Sequence, residues 1–345
     1  MATVKVSVVG LGRLGTSYGM ALRALSQKPE ARHQFEVTGC DRSSGRVRTA
    51  AKMGALDHEG GNFQSAVEGA DLVFFAPPYG EAEQTLEIIG KSMKPGAVVM
   101  DASPLKQPSL KWADKYFRRD DDGGVSVYLV GVTPVINPEY LGEPDDSPNA
   151  ARADLFEGGS MIISPAAHCP AEAVKLVTDL TEIMQLRAHF VDPIEHDGMV
   201  AGTEALPLLL QLGLFQALSG SKAWGDVQWI SNPAFFLSTY RLMQIDPESA
   251  AEEIGHNRDN ALRYLDALME RLTALRDVLK TGDQSLLAEN FDEATRKYIQ
   301  WQEARLKNKW EGDLETPTEG RAFNLLGGLG GLIPRMGGRD KKKKQ

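Results

Sequence analysis

The segment Val4-Lys-Val-Ser-Val-Val-Gly10-Leu-Gly12-Arg13-Leu14-Gly15 constrains the fold of this chain more than any other. A β-branched run, then Gly-x-Gly-x-x-Gly, then helix formers to Leu25 describe a strand that turns sharply into a helix. Each glycine has its own steric duty. Gly10 makes the tight turn, Gly12 lets a pyrophosphate approach the backbone, and Gly15 lets helix pack on strand. The helix N-terminus adds unpaired N–H groups and the positive end of its dipole. A glycine-rich turn alone is weak evidence, but a second strand-like run ends at Asp41, where a carboxylate suits adenosine ribose hydroxyls. The gap from Gly15 to Asp41 exceeds the usual spacing of about 20 because extra residues lie around Ser26–Gln34. A dinucleotide is therefore the expected cofactor, with Gly10, Gly12, Arg13, Leu14 and Gly15 around its phosphates and Asp41 and Arg42 at its adenosine. Asp41 repels a 2′-phosphate and favours NAD; Arg42, with Ser43 and Ser44, would hold one and favours NADP. NAD is the expectation, NADP the alternative, and no metal is expected.

The alternation continues. Strand-like runs at Val4–Val9, Phe35–Cys40, Leu72–Ala76, Ala97–Met100, Val125–Val132, Met161–Ile163 and His189–Val191 are separated mostly by helical stretches: Gly12–Leu25, Arg46–Met53, Glu81–Met93, Leu110–Phe117 and Ala171–Met184. Continuous apolar strands with helical crossovers mean a largely parallel sheet covered on both faces. Ligands in such sheets bind at the carboxyl ends of the strands, so Ala76-Pro77-Pro78 and Asp101-Ala-Ser103-Pro-Leu-Lys106 should line the nicotinamide end of the cleft. The fold class is α/β: a doubly wound Rossmann domain over residues 1–192, then an all-helical domain over residues 193–310. In the latter, Ala261, Leu265, Leu268, Leu272, Leu275 and Leu279 form a heptad seam that must bury against another helix. An intrachain bundle core and a homodimer interface both answer that need, and the dimer is preferred for a small helical domain. Residues 311–345 are glycine-rich and end in Lys341–Lys344. A solvated flexible tail is the favoured reading there, contact with anionic lipid or a partner the other.

Of the 345 residues, 38 Lys and Arg stand against 47 Asp and Glu, a net charge of −9. Such a surface argues against a nucleic-acid partner, which needs a basic face. Two cysteines, Cys40 and Cys169, make no disulfide framework and suit a reducing, cytoplasmic setting. No apolar signal segment opens the chain. The run Leu206–Leu218 is interrupted by Gln211 and Gln216 and is too short to span a bilayer, so no membrane span is expected.

Several motifs then occur in order. They are Gly10-Leu-Gly12-Arg-Leu-Gly15-Thr-Ser17, Gly54-Ala-Leu-Asp57, Asp71-Leu-Val-Phe-Phe-Ala-Pro77, Asp101-Ala-Ser-Pro-Leu-Lys106, Leu155-Phe-Glu-Gly, Glu195-His196-Asp197 and Thr239-Tyr-Arg241-Leu with Asp246-Pro247. From about residue 4 to residue 290 the chain resembles the prephenate/arogenate dehydrogenase family, within the 6-phosphogluconate dehydrogenase-like Rossmann superfamily. The resemblance implies a helical dimerisation domain, an active site between the domains, and NAD(P)-linked oxidative decarboxylation of a small carboxylic acid in tyrosine biosynthesis. It also exposes departures. The family's His-Pro in the loop after the sixth strand reads Thr133-Pro134 here, and the serine of Asp-x-x-Ser-x-Lys falls at Pro104, with Ser103 one residue early. Ser-His-x-Pro-His becomes Glu204-Ala205-Leu206-Pro207-Leu208, which removes both histidines. Arg241 remains at the place of the family's substrate-carboxylate arginine.

Hydride transfer from a carbinol needs a base for the hydroxyl proton, and such a base contributes about 10²–10⁴ in rate. Threonine is a poor base near neutral pH. Loss of CO₂ and gain of an aromatic ring could still carry a slow reaction, or the site has been rebuilt with His196 or Glu204 as base. His196 opens a long helix, where a capping or pairing role is the plainer alternative. Glu204 is either a base raised by burial or a surface residue, the latter favoured. Arg241 is either a carboxylate ligand or an exposed helical arginine. The expected substrate-facing set is Ser103, Thr133 and Arg241, with His196 and Glu204 as further catalytic candidates. Two alternatives stand beside it: a dehydrogenase of another hydroxy or oxo acid, and a dinucleotide-binding regulatory protein without turnover.

Overall fold

The computed structural model describes residues 2–308 except residues 30, 32, 120–123, 125 and 144. The glycine-rich stretch 311–345 with Lys341–Lys344 lies outside the described residues, as does Val125 at the start of the expected sixth strand.

Eight described strands form one sheet: β1 (Ala2–Val9), β2 (His33–Cys40), β3 (His58–Glu59), β4 (Leu72–Phe75), β5 (Val98–Asp101), β6 (Tyr128–Val135), β7 (Ser160–Pro165) and β8 (Arg187–Phe190). Their order is β3-β2-β1-β4-β5-β6-β7-β8. Helices α1 (Arg13–Ser26), α2 (Ser44–Lys52), α3 (Phe63–Val67), α4 (Tyr79–Ile89), α5 (Lys106–Tyr116) and α6 (Ala171–Ile183) make the crossovers. The strands alternate with period two between two cores. Val6, Val8, Leu72, Phe74, Val98 and Met100 face one core, and Val9, Val73, Phe75 and Val99 face the other. Tyr18 of α1 stacks on Phe74 with ring centroids 3.8 Å apart, so the helix after the glycine turn is clamped to the middle of the sheet.

Three features differ from the sequence expectation. The two-residue β3 and the five-residue α3 were not foreseen; both are too short to carry a periodic signal. The seventh strand is antiparallel to β6. That pairing also corrects the placement of Thr133-Pro134, which lie within β6 and not in a loop after it, with Thr133 opposite Ile162. Pairing of β5 with β6 ends at Gly131, so Pro134 sits where β6 has a neighbour on one side and a missing N–H is tolerated.

Beyond the sheet come α7 (Pro193–Val200), α8 (Leu206–Ser219), α9 (Trp224–Val227), α10 (Pro233–Leu237), α11 (Pro247–His256), α12 (Arg258–Thr281) and α13 (Gln284–Lys307). Helices α7 and α8 run on through a π turn, Ala201–Ala205. Pro207 lacks the N–H that would bond back to Thr203, which loosens the helix there. The run Pro193–Ser219 is long and apolar enough to cross a membrane by length and composition. Its first half holds His196 and Asp197 buried against the Rossmann domain, while none of Leu206–Ser219 is buried. The outer half of the heptad seam is not buried among the described residues: Leu272, Leu275 and Leu279 are 49%, 39% and 64% exposed, whereas Ala261 is buried. The intrachain-bundle alternative therefore fails for the outer half of α12. The far end of α13 returns to the sheet, where Arg305 donates to the Ile136 carbonyl and Asn308 bonds Ser160 and Gly159.

Candidate active site

At the amino end, Gly10 has φ +93°, and a Cβ there would lie 2.3 Å from the Ala76 carbonyl oxygen. A Cβ on Gly15 would lie 2.0 Å from the Gly10 carbonyl. No side chain fits either position, so β1, α1 and the Ala76-Pro77 loop close on one another. Gly12 caps α1 with extended ψ, and a Cβ there would intrude on a cradle whose nearest wall is the Asp146 carbonyl at 3.3 Å. The Arg13 N–H donates to that carbonyl at 2.8 Å. The Arg13 side chain is buried and pairs with Glu143 at 3.0 Å, so its guanidinium anchors Glu143 as its N–H anchors Asp146. Asp41 accepts from the Leu11 N–H and the Ser43 N–H, each at 2.8 Å, and thereby holds the glycine turn against the end of β2. Arg42 points to α4, reaching Gln84 at 2.6 Å and Glu81 at 3.5 Å. These residues fit a dinucleotide: Gly12 without a side chain before α1, a helix N-terminus behind it, and a carboxylate at the end of the second strand. With Arg42 already engaged, the acidic Asp41 dominates the adenosine end, as NAD requires.

The centre of the cleft is built on Lys106. It is fully buried, and its Nζ donates to the carbonyls of Asp101, Ser103 and Val132 at 3.1, 2.6 and 2.7 Å. The ends of β5 and β6 are thus tied together, and Gly131 leaves room for the Lys106 chain, 2.9 Å from where a Cβ would be. Burial pushes the Lys106 ammonium down to about 8, against the pull of Asp101 and Asp197. Burial also raises the Asp101 carboxyl, against Lys106. Ser103 is buried and its hydroxyl has no partner among the described residues.

Thr133 Oγ1 lies 2.7 Å from His196 Nε2, and His196 Nδ1 lies 3.2 Å from Asp197 Oδ1. The two carboxylate oxygens of Asp197 accept from the N–H groups of Lys106 and Gln107 at the start of α5, at 2.7 and 3.0 Å. Asn257 donates to the Asp197 carbonyl at 2.7 Å. A carboxylate oriented in this way accepts from an Nδ1–H and selects that tautomer, leaving Nε2 to accept from Thr133. The structure thus joins two residues proposed separately from sequence, Thr133 and His196, into a Thr-His-Asp chain. Asp197 and Lys106 were quoted there only as parts of motifs. Their partners lie up to 91 residues away, which no local pattern reveals.

On the helical side, Glu204 sits in the π turn and pairs with Arg241 at 3.4 Å, the two side chains 51% and 42% exposed. Glu253 of α11 lies within the field of both; burial and Glu204 push its carboxyl up to about 7. Nothing in its local sequence distinguishes Glu253. Helix α11 docks on the Rossmann domain, with Tyr79 bonded to His256 at 2.8 Å and the Gly80 N–H to Ser249 at 2.9 Å.

The family profile described as prephenate dehydrogenase, nucleotide-binding domain, matches residues 24–191. The profile for the prephenate dehydrogenase dimerization domain matches residues 192–293. The first match begins after the glycine turn, so the turn is separate support. The chain is 25% identical over 311 residues to the cyclohexadienyl dehydrogenase of Zymomonas mobilis, covering 90% of this chain and 97% of that one. It is 24% identical over 295 residues to the prephenate dehydrogenase of Bacillus subtilis, covering 84% and 74%. Among solved structures, prephenate dehydrogenase from A. aeolicus in complex with hydroxyphenyl propionate and NAD+ shares the fold with TM-score 0.71 at 18% identity, covering 86% of this chain and 97% of that one.

Proposed function

The chain belongs to the prephenate dehydrogenase family, and on that premise we propose that it carries out NAD-linked oxidative decarboxylation of a prephenate-type ring acid to a phenol and CO₂. The hydrogen-bonded chain Thr133–His196–Asp197 carries this reading. NAD, when bound, supplies the hydride acceptor; Gly10, Gly12, Gly15 and Asp41 would hold it. Thr133 gives its proton toward His196 Nε2, so its oxygen is free to accept the carbinol O–H. As positive charge gathers on His196, Asp197 stabilises it, the division of labour seen in nucleophile–histidine–carboxylate triads. The proton returns to the oxygen as the ring becomes aromatic, and the chain ends as it began. Ser103 offers a buried hydroxyl to a substrate oxygen, and Arg241 offers a guanidinium to a carboxylate. This chain of groups takes over the task of the missing family histidine, which removes the motive for a reading without turnover. Free Cys40 and Cys169 fit a cytoplasmic setting. The exposed leucines of α12 and the dimerization-domain match support a homodimer.

The test is direct. Purified protein with NAD and either prephenate or arogenate should form reduced nicotinamide and release CO₂. Thr133→Val, which keeps the shape and deletes the hydroxyl, should lower kcat by about 10²-fold or more with little change in KM. No turnover of either acid, or a Thr133→Val enzyme as fast as the parent, would overturn the reading.

A further inference from the structure

Eight residues separate His196 from Glu204 along one helix, about 12 Å at 1.5 Å per residue. That is comparable to a ring acid lying with its carbinol at Thr133 and its three-carbon side chain among Glu204, Arg241 and Glu253. The charges at this second end come from three elements: the π turn, the turn Tyr240–Met243 and α11. Arg241 pairs with Glu204 at 3.4 Å and Glu253 couples electrostatically to both, so this cluster holds two carboxylates to one guanidinium. A substrate carboxylate drawn to Arg241 leaves Glu204 and Glu253 in need of a cation.

We propose that this charge cluster recognises an α-amino acid side chain, with the carboxylate on Arg241 and the neighbouring ammonium on Glu204 and Glu253, so that arogenate is preferred to prephenate. The proposal rests on the reaction proposed above and names the substrate class of the same site. A keto acid brings a carboxylate and no cation into this cluster, and repulsion between like charges then works against it. An amino acid replaces that repulsion with a charge-assisted hydrogen bond. Burial, with Glu204 adding to it and Arg241 opposing it, already pushes the Glu253 carboxyl up to about 7. The Glu204–Arg241 pair is half-exposed and contributes little to stability as a surface ion pair, so its replacement is compatible with folding.

The two reaction products report recognition without turnover. L-Tyrosine, from arogenate, and 4-hydroxyphenylpyruvate, from prephenate, would be titrated calorimetrically into the full-length protein and into Glu204→Gln. Tyrosine should bind at least about tenfold more tightly than the keto acid. Glu204→Gln should weaken tyrosine about tenfold and leave the keto acid within about twofold. Equal affinity for both products, failure of both to bind, or equal weakening of both in the variant would overturn the proposal. Preference for tyrosine in a protein that turns over neither acid would support the recognition and overturn only the reaction.

Discussion

Thr133 illustrates how far a single residue can be understood by itself. From sequence it is a hydroxyl in the place of a histidine, and a hydroxyl is a weak base. With His196 at 2.7 Å and Asp197 behind it, the same hydroxyl becomes the outer end of a hydrogen-bonded chain. Glu253 makes the same point through its environment. Burial, with Glu204 beside it, pushes the Glu253 carboxyl up from the ordinary 4.5 to about 7. The native state therefore holds this proton more tightly than the unfolded chain does. The stability from this group is complete below 4.5 and is lost as pH rises through about 7. Glu253→Gln does not ionise, so the parent should lose stability relative to this variant from about pH 5 to about pH 8. Denaturant midpoints across that range measure the difference; parallel curves would show that Glu253 titrates normally.

At the scale of elements, the strand–turn–helix unit β1–α1 was legible because glycine spacing is a local steric code. Gly10 and Gly15 are required by carbonyls 2.3 and 2.0 Å from where a Cβ would stand. Gly12 is different, since its φ of −74° suits any residue. Aspartate is a good helix N-cap, so Gly12→Asp should fold, with the Asp146 carbonyl giving way slightly. Its charge would face the pyrophosphate, and NADH affinity, followed by nicotinamide fluorescence, should fall by at least about 100-fold. Retained affinity would place the phosphates elsewhere. By contrast, α5 gave no sign of its role. Its N-terminus holds a carboxylate from α7, a pairing set by packing between distant parts of the chain.

For the whole molecule, the helical domain leaves much of its apolar surface uncovered. No residue of α8 is buried, and α12 buries Ala261 alone. Leu272 and Leu275 are 49% and 39% exposed, and covering a leucine fully contributes about 1.5–3 kcal/mol. A second copy is the covering that the dimerization-domain match supports. The double variant Leu272→Glu with Leu275→Glu should shift sedimentation from dimer to monomer while leaving the Rossmann domain folded. A parent that sediments as a monomer, or an unchanged dimer in the variant, would assign that face another role.

The sequence by itself determined most of the order of strands and helices, the glycine turn, the change from sheet to helices near residue 192 and the existence of a leucine seam. Each of these is written in residues close together in the chain, as periodicity or backbone sterics. Only the tertiary structure decided that Thr133, His196 and Asp197 form one hydrogen-bonded chain, that Lys106 ties β5 to β6, and that Glu253 couples to Glu204 and Arg241. Those arrangements depend on distances and burial between remote segments, and hydrogen bonds and pKa shifts exist only once the chain has brought such groups together.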